Sequence, residues 1–215
     1  MIANISLVLS LIVAIIGMVR FKKLTMPFKL LAILQVLDLF LTNIASKQVE
    51  SLYHNNALIS HVQALNSYIF YSLIYYLLFR NKYLKKFILV TVVIITIFCF
   101  INAIFLEPYA KSFPIYTIIP TDILYIAFSM LLFRQMLLYP MATNLIKQSI
   151  FWYNTGLLFF STTMFMNLGL MNYYSHHRPH DQLIFYFWYT DIIIFNVLIG
   201  MAILTDRKET ATIDA

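Results

Sequence analysis

The sequence predicts an all-α protein whose seven membrane-spanning helices form one bundle. Hydrophobic residues occupy 61% of the 215 positions and charged residues 11%, and the mean hydropathy is +0.80, which is far from the composition of a soluble domain. Seven apolar runs of about twenty residues each fit a hydrocarbon core of ~30 Å at a rise of ~1.5 Å per residue. No loop between them is long enough to hold a folded domain.

The first two spans are separated by a short basic segment. The first covers 2–19 and ends at the basic stretch 20–23; no Lys or Arg precedes it, which is the reverse of a cleavable signal peptide. The second span is expected to begin near Pro27, because proline is favoured in the first turn of a helix. We expect it to end near Ser46 and to be followed by a polar loop over 47–56.

The remaining five spans are predicted at 57–79, 87–106, Pro120 onward, 148–170, and from 179 or 182 to 204. The fourth is the most uniformly apolar and should face lipid most. All six prolines are expected at helix ends or in loops, and the chain has only four glycines. The helices should therefore be unbroken and fairly stiff, unlike the interrupted helices of many secondary transporters.

The basic residues predict the orientation of the bundle. Twelve of the 15 Lys and Arg residues fall on one side of the scheme and three, Lys47, Lys111 and Arg178, on the other. The positive-inside rule then puts the N-terminus outside and the C-terminus in the cytoplasm, with the basic side against anionic headgroups. We expect residues 1–204 to form a single transmembrane domain in the lipid bilayer and 205–215 a short cytoplasmic tail. Nothing in this charge pattern requires nucleic acid as a partner.

Two acids lie deep within predicted spans. Asp38 is about eleven residues into the second span, roughly 16 Å deep, and Gln35 and Thr42 share its helix face. Asp191 is about nine residues into the seventh span, and Trp188 lies on its face. Because an ionisable residue inside a membrane is costly, both indicate a functional site. If the second and seventh spans are neighbours, the two acids could meet and share a proton, a bound cation or a histidine.

Other polar residues admit structural explanations. Asp122 and Asp181 each follow a proline and are expected in the first turn of a helix, where free N–H groups favour a carboxylate. The lone cysteine, Cys99, lies in an apolar run, which excludes a disulfide and a thiolate metal site and suggests a small buried hydrophobe. The remaining interior polar residues, Asn66 among them, are expected mainly in the outer half of the bundle. They could line an outward-facing cavity or form hydrogen bonds between helices.

The last predicted helix and the histidines can be compared with the sites of two kinds of seven-helix membrane protein. Microbial rhodopsins carry a retinal-binding Lys four residues after an Asp of the last helix; Phe195 occupies that position here, so a retinal Schiff base is excluded. His176 and His180, with His61 as a third ligand, weakly resemble the three-histidine zinc site of seven-helix ceramidase-like hydrolases. The alternative is a solvated histidine-rich loop, and we assign no catalytic residue.

A broader resemblance is spread along the chain. The segments RFKKLTMPFKLL at 20–31, ISH at 59–61 and SIFWYNTGLLFFS at 149–161 resemble a group of short seven-helix bacterial membrane proteins of unassigned function. Members of that group are often encoded beside sensor histidine kinases. The resemblance implies a bacterial inner-membrane protein and, by association, a role in signalling with a membrane histidine kinase or another membrane protein.

Three functional hypotheses follow. The first is a sensor or signal-coupling protein that binds a small or lipidic ligand in an outward-facing cavity, at Asp38, Gln35, His61, Asn66, Trp188 and Asp191. The second is a membrane-embedded hydrolase with zinc held by the three histidines. The third is a proton or cation path through the two acids, which an apparent scarcity of polar residues toward the cytoplasmic half disfavours.

Overall fold

In the computed structural model, residues 2–109, 112–139, 145–177 and 183–206 are described, and they form seven long helices with two short 3-10 turns and no strand. The helices are α1 (Ile2–Arg20), α2 (Met26–Phe40, continuing through Leu41–Ala45 and Ser46–Tyr53), α3 (Ala57–Leu78), α4 (Lys82–Ile101, continuing through Asn102–Leu106), α5 (Ile115–Leu138), α6 (Ser149–His177) and α7 (Leu183–Thr205). The prediction of an all-α protein is confirmed.

Five of these helices, α1, α2, α4, α5 and α7, are long and apolar enough to cross a bilayer. The other two, α3 and α6, carry many tyrosine, serine, asparagine and histidine residues, which lower their hydropathy. The described part of the chain is therefore consistent with an integral membrane protein whose most polar helices contribute to its interior.

The helices pack as a ring that follows the chain. Helix α1 packs against α2 and α7, α6 packs between α5 and α7, and α3 contacts α2, α4 and α5. Helix α2 also makes a small contact with α7. The largest fully buried side chains are aromatic, namely Tyr68, Tyr75, Tyr153, Phe28, Phe79 and Phe128. Helix α4 leaves most of its apolar residues exposed, as predicted, and buries the free thiol of Cys99.

The predicted end of the second span is wrong. Instead of a loop over 47–56, α2 continues to Tyr53 after a π-helical segment at Leu41–Ala45. A second π-helical segment, Asn102–Leu106, ends α4. Each helix runs on through its segment, but its hydrogen-bond pattern changes there. A π-helical turn accommodates one extra residue, and the hydropathy of the sequence gives no sign of it.

Helices α4 and α5 both begin five residues earlier than expected, because polar side chains cap them. The Asn81 side chain accepts a hydrogen bond from the Tyr83 N–H at 2.8 Å at the start of α4. The Glu107 carboxylate accepts one from the Tyr116 N–H at 3.0 Å in the first turn of α5. Pro120 therefore lies inside α5 rather than at its start.

Helix α6 extends seven residues beyond its predicted end, to His177. His176 and His177 thus belong to a helix, and the expectation that a histidine-rich loop begins at 176 is wrong on this point. The side chains of these two histidines lie outside the described part of the structure, as do residues 178–182 with His180 and Asp181.

The ends of four helices meet at Asp206. Its carboxylate accepts hydrogen bonds from the Thr25 N–H at 2.7 Å, where Thr25 is the N-cap of α2, and from the Ser149 hydroxyl at 3.1 Å, at the start of α6. Arg20, at the end of α1, donates to the Asp206 carbonyl at 2.9 Å. We call this arrangement the Asp206 latch. Thr205 is the last residue of α7, and Asp206, which follows it, is only 4% exposed.

The latch lies at the end of the bundle that carries most of the positive charge, which we call the basic end; the opposite end is the distal end. The described Lys and Arg residues at or near the basic end are Arg20, Lys22, Lys23, Lys29, Arg80, Lys82, Lys85, Lys86, Arg134 and Lys147. Lys47 lies in the distal part of α2.

Two glycines set the distance between neighbouring helices. A Cβ atom on Gly17 would lie 3.0 Å from the Ala32 Cβ, and one on Gly156 would lie 3.0 Å from the Leu198 Cβ. Both contacts are to atoms fixed by a helix backbone, so a side chain there must push the helices apart. Gly169 has open space around its Cβ position.

We therefore expect Gly17→Val and Gly156→Val each to destabilise the folded protein by about 1–3 kcal/mol through overpacking. The control Gly169→Val should leave stability unchanged or slightly raised, because Val is a better helix former than Gly. Thermal unfolding of the purified variants in one detergent measures this. Equal melting temperatures for all three would contradict the packing described above.

Candidate functional site

Asp38 lies in α2, three residues before the first residue of its π-helical segment. The N–H of Leu41, the first residue of that segment, bonds to the Asp38 carbonyl oxygen. The Oδ1 atom of Asp38 is buried and has no hydrogen-bond partner among the described residues. The Gln63 side chain of α3 is adjacent to the carboxyl group, and its amide reaches the exposed Thr42 hydroxyl at 3.4 Å. Polar groups thus connect Asp38 with the surface of the bundle.

Two other predicted site residues flank this position. Gln35 is buried one turn before Asp38 on α2. Asn66 lies one turn after Gln63 on α3, and its side-chain nitrogen is buried without a partner among the described residues. Since α2 and α3 pack together, the structure brings these polar groups to one interhelical surface, which we call the Asp38 site.

Asp191 belongs to a different contact. It is 7% exposed, and its Oδ2 accepts a short hydrogen bond from the Asn167 amide of α6. One turn further along α7, the Phe195 ring packs 4.7 Å from the Phe160 ring, centroid to centroid. No hydrogen bond joins the Asp191 and Asp38 carboxyls in the described structure. Asp191 thus has a structural partner of its own, whereas Asp38 Oδ1 has none.

Trp188 and His61 occupy the distal end. The Trp188 ring packs edge-on against Phe113 with centroids 6.0 Å apart. His61 is buried, and its Nε2 lies 3.1 Å from the Ser112 carbonyl oxygen, so this nitrogen acts as a donor. No group of three or more possible metal ligands occurs among the described residues. The zinc hypothesis also needs His176 and His180, so it stays a prediction.

Asp122 is a buried acid whose role the sequence did not predict. Because α5 begins at Ile115, Asp122 is its eighth residue, beyond the free N–H groups of the first turn. The expectation of a first-turn acid is therefore wrong. The residue is 3% exposed, and its Oδ2 is buried without a partner among the described residues. Tyr125 and Ser129, at i+3 and i+7, lie on the same face of α5.

Five buried tyrosines fill the space between the helices beside Asp122; we call them the tyrosine cluster, and they are Tyr68, Tyr71, Tyr75, Tyr125 and Tyr153. The rings of Tyr71 and Tyr125 meet edge to face at 5.5 Å, and Tyr71 also contacts Tyr153 at 6.4 Å. Tyr75 lies 5.7 Å from Tyr153. The cluster therefore joins α3, α5 and α6.

Asp38 and Asp122, which each have one buried carboxyl oxygen without a partner among the described residues, lie near this cluster. The Asp38 carboxyl interacts electrostatically with Tyr71, and the Asp122 carboxyl with Tyr125. These two tyrosines are in direct ring contact. Asp38 on α2 and Asp122 on α5 thus each lie near one of two packed phenol rings, without a hydrogen bond between acid and phenol among the described residues. No single sequence motif encodes this arrangement.

A hydrogen-bond network continues from the cluster toward the basic end. The Tyr75 hydroxyl lies 2.5 Å from the Ser129 hydroxyl and donates to the Asn154 side-chain oxygen at 3.1 Å. The Asn154 amide in turn donates to the Ser129 carbonyl at 2.9 Å. Interior polar residues are therefore not confined to the expected outer half, although more of the buried ones lie toward the distal end. The recurrence of tyrosine at 68, 71 and 75, on one face of α3, was the available sequence signal.

The interior acids have no basic counterpart. Among the described residues no Lys or Arg is buried. Several cations lie instead over aromatic rings at the basic end, including Lys85 over Tyr76 at 5.1 Å and Arg80 over Tyr139 at 5.6 Å. The charge of an ionised interior carboxylate must accordingly be offset by a proton, by hydrogen bonds or by a bound group.

No family model, curated protein or solved structure matches this chain. The resemblance to short seven-helix bacterial membrane proteins consequently stays a prediction. The geometry of the interior polar groups carries the functional argument.

The Tyr75 network gives a direct test of the packing around the site. We expect Tyr75→Phe to lower the free energy of unfolding by about 1–3 kcal/mol, because the buried Ser129 and Asn154 side chains lose a shared partner. Tyr83→Phe removes the same hydroxyl from a residue that is 84% exposed and should have no effect. Thermal unfolding of both variants measures the difference, and equal stabilities would show that the network contributes nothing.

Proposed function

We propose that this chain is a seven-helix membrane sensor or signal-coupling protein that binds a small or lipidic ligand at the Asp38 site. One observation supports this most directly: an unpartnered carboxyl oxygen lies next to a π-helical segment in the membrane-embedded part of α2. Intramembrane acids and π-helical turns both occur preferentially at functional positions.

The chemistry of the site favours a ligand with a positive charge or strong hydrogen-bond donors. The Asp38 carboxyl and the Gln63 amide oxygen are acceptors, and no buried Lys or Arg competes for them in the described structure. A protonated amine would offset the cost of holding a carboxylate in an apolar medium. Its alkyl part could contact the apolar surfaces of α2 and α3, which suits an amphiphilic or lipid-like molecule.

Helix α2 transmits ligand binding at Asp38 to the surface that a partner protein would contact. Asp38 is 13 residues from Thr25, the N-cap of this helix, or about 20 Å along its axis. Thr25 is held by the Asp206 latch, which also holds α1, α6 and α7. A displacement of α2 at Asp38 therefore changes contacts at the basic end, where a membrane histidine kinase or another membrane protein would detect it.

In this proposal all seven helices span the bilayer of a bacterial inner membrane, with the N-terminus outside. The grouping of described Lys and Arg residues at the basic end supports this orientation. The polar faces of α3 and α6 are turned toward interior groups, so their low hydropathy is compatible with spanning. A zinc-dependent hydrolase is less favoured, because His61 already uses Nε2 to contact Ser112.

The orientation can be tested with single cysteines in a Cys99→Ala background. We expect Glu50→Cys, near the distal end, to react with a membrane-impermeant maleimide added outside intact cells. Tyr83→Cys, at the basic end, should react only after the membrane is opened. Both side chains are exposed, so accessibility depends on sidedness alone. The reverse labelling pattern would contradict the N-terminus-out orientation.

The ligand site can be tested with a panel of small amines and alkylamines as probes. We expect at least one probe to raise the melting temperature of the purified wild-type protein but not of Asp38→Asn, which lacks the negative charge. Glu50→Gln, the same change at an exposed acid, should respond like the wild type. Loss of the response in Glu50→Gln, or an undiminished response in Asp38→Asn, would refute the assignment, as would a panel without any response.

A further inference from the structure

The Asp38 site holds a hydrogen-bond donor as well as an acceptor, and neither has a partner among the described residues. The acceptor is the Oδ1 atom of Asp38 on α2, and the donor is the side-chain nitrogen of Asn66 on α3. Both atoms are buried, although each residue as a whole is only half-buried. An unpaired buried group lowers stability by the cost of removing it from water. A bound molecule that pairs with both groups would recover that cost.

A hydrogen bond between α2 and α3 fixes where these two groups lie relative to each other. The Gln63 amide of α3 donates to the Thr42 hydroxyl of α2 at 3.4 Å. The two helices run in opposite directions, because α2 begins at the basic end and α3 ends there. One turn from this bond toward the basic end, α2 carries Asp38 at i−4 from Thr42, and α3 carries Asn66 at i+3 from Gln63. The unpaired acceptor and the unpaired donor thus lie at the same level of two packed helices.

Asp38 and Asn66 do not satisfy each other, although a carboxylate and an amide are complementary. Asp38 Oδ1 and the Asn66 nitrogen make no hydrogen bond in the described structure. A simple amine would pair with Asp38 but would leave the Asn66 nitrogen unpaired. A molecule with an oxygen close to its amine nitrogen could pair with both, since the ammonium donates to the carboxylate and the oxygen accepts from the amide.

We propose that the ligand of the Asp38 site is an amino alcohol with an alkyl chain, and that Asn66 selects it over a simple amine. The inference rests on the proposed ligand site and adds the chemical class of the ligand. A site that pairs with a hydroxyl discriminates against an analogue without it, because a buried polar group is then left unpaired. Exposed apolar side chains on both helices, among them Val36 and Phe40 on α2 and Val62 on α3, offer contacts for the alkyl chain.

Two amines that differ in a single group test this selection. In N-octylethanolamine a hydroxyl takes the place of the terminal methyl group of N-octylpropylamine. We expect the purified wild-type protein to bind the first about fivefold more tightly, as one recovered hydrogen bond gives. The rise in melting temperature with probe concentration yields both dissociation constants. Ethanolamine itself lacks the alkyl chain and should bind at least about tenfold more weakly. Equal binding of ethanolamine would overturn the assignment of a lipid-like ligand in favour of a free amino alcohol.

Asn66→Leu removes the donor and keeps a side chain of similar size. We expect this variant to bind the two octylamines equally, with the affinity that the wild type shows for N-octylpropylamine. Asn4→Leu, the same change at an exposed asparagine, should keep the fivefold ratio. If Asn66→Leu does not fold, Asn66→Ala removes the same donor and takes its place. A ratio near one in the wild type, or an undiminished ratio in the Asn66 variant, would overturn the proposal.

Asp38→Asn separates a failure of this inference from a failure of the ligand site. If Asp38→Asn loses both octylamines while the wild type binds them equally, the ligand site stands and only the amino alcohol is refuted. If Asp38→Asn binds both amines as tightly as the wild type, or if the wild type binds neither, the ligand site itself is refuted and this inference with it.

Discussion

The requirement that every interior polar group find a partner other than bulk water governs this structure. Where interior polar groups find such partners, their hydrogen bonds hold helices together. Glu107 caps α5, Asn167 binds Asp191 between α6 and α7, and the Asp206 latch joins four helix ends. In an apolar medium an unmade hydrogen bond costs far more than in water, so each of these contacts fixes geometry as well as adding stability. Several buried polar atoms depart from this pattern, and among the described residues only those of Asp38 and Asp122 belong to carboxyl groups, which is what makes these two acids functional candidates.

Helix α3 occupies the interior between the helices that carry the two acids. It contacts α2, α4 and α5, and its Tyr71 ring packs against the Tyr125 ring of α5. Phenol rings suit this position because they fill space as hydrophobes and still offer a donor and an acceptor. A helix of leucines would pack as densely but could not hold the buried Ser129 and Asn154 side chains, as the Tyr75 hydroxyl does. The low hydropathy of α3 is thus a consequence of its place in the interior.

The sequence predicted the helix number and type well and the interior contacts poorly. Apolar runs and basic flanks identified seven helices, because both signals are local. The π-helical segment after Phe40 is a backbone irregularity, and hydropathy does not report such irregularities. The early start of α5 depends on a hydrogen bond to the Glu107 carboxylate, which hydropathy does not report either. Because α5 begins earlier than predicted, the prediction that Asp122 lies in the first turn of this helix was wrong. The Tyr75, Ser129 and Asn154 network joins three helices, and only their packing brings it together.

A proton and a positively charged ligand would compete for Asp38. Both would use the same carboxyl oxygen, so each must weaken the binding of the other to an equal extent. A bound amine would therefore change the protonation of α2 as well as its contacts with α3. Since the Asp206 latch holds Thr25, the N-cap of α2, together with α1, α6 and α7, the helix that carries the ligand site shares one contact with three other helices. A change at Asp38 that moves α2 would thus alter all four helix ends together, which is the behaviour that a signal-coupling bundle needs.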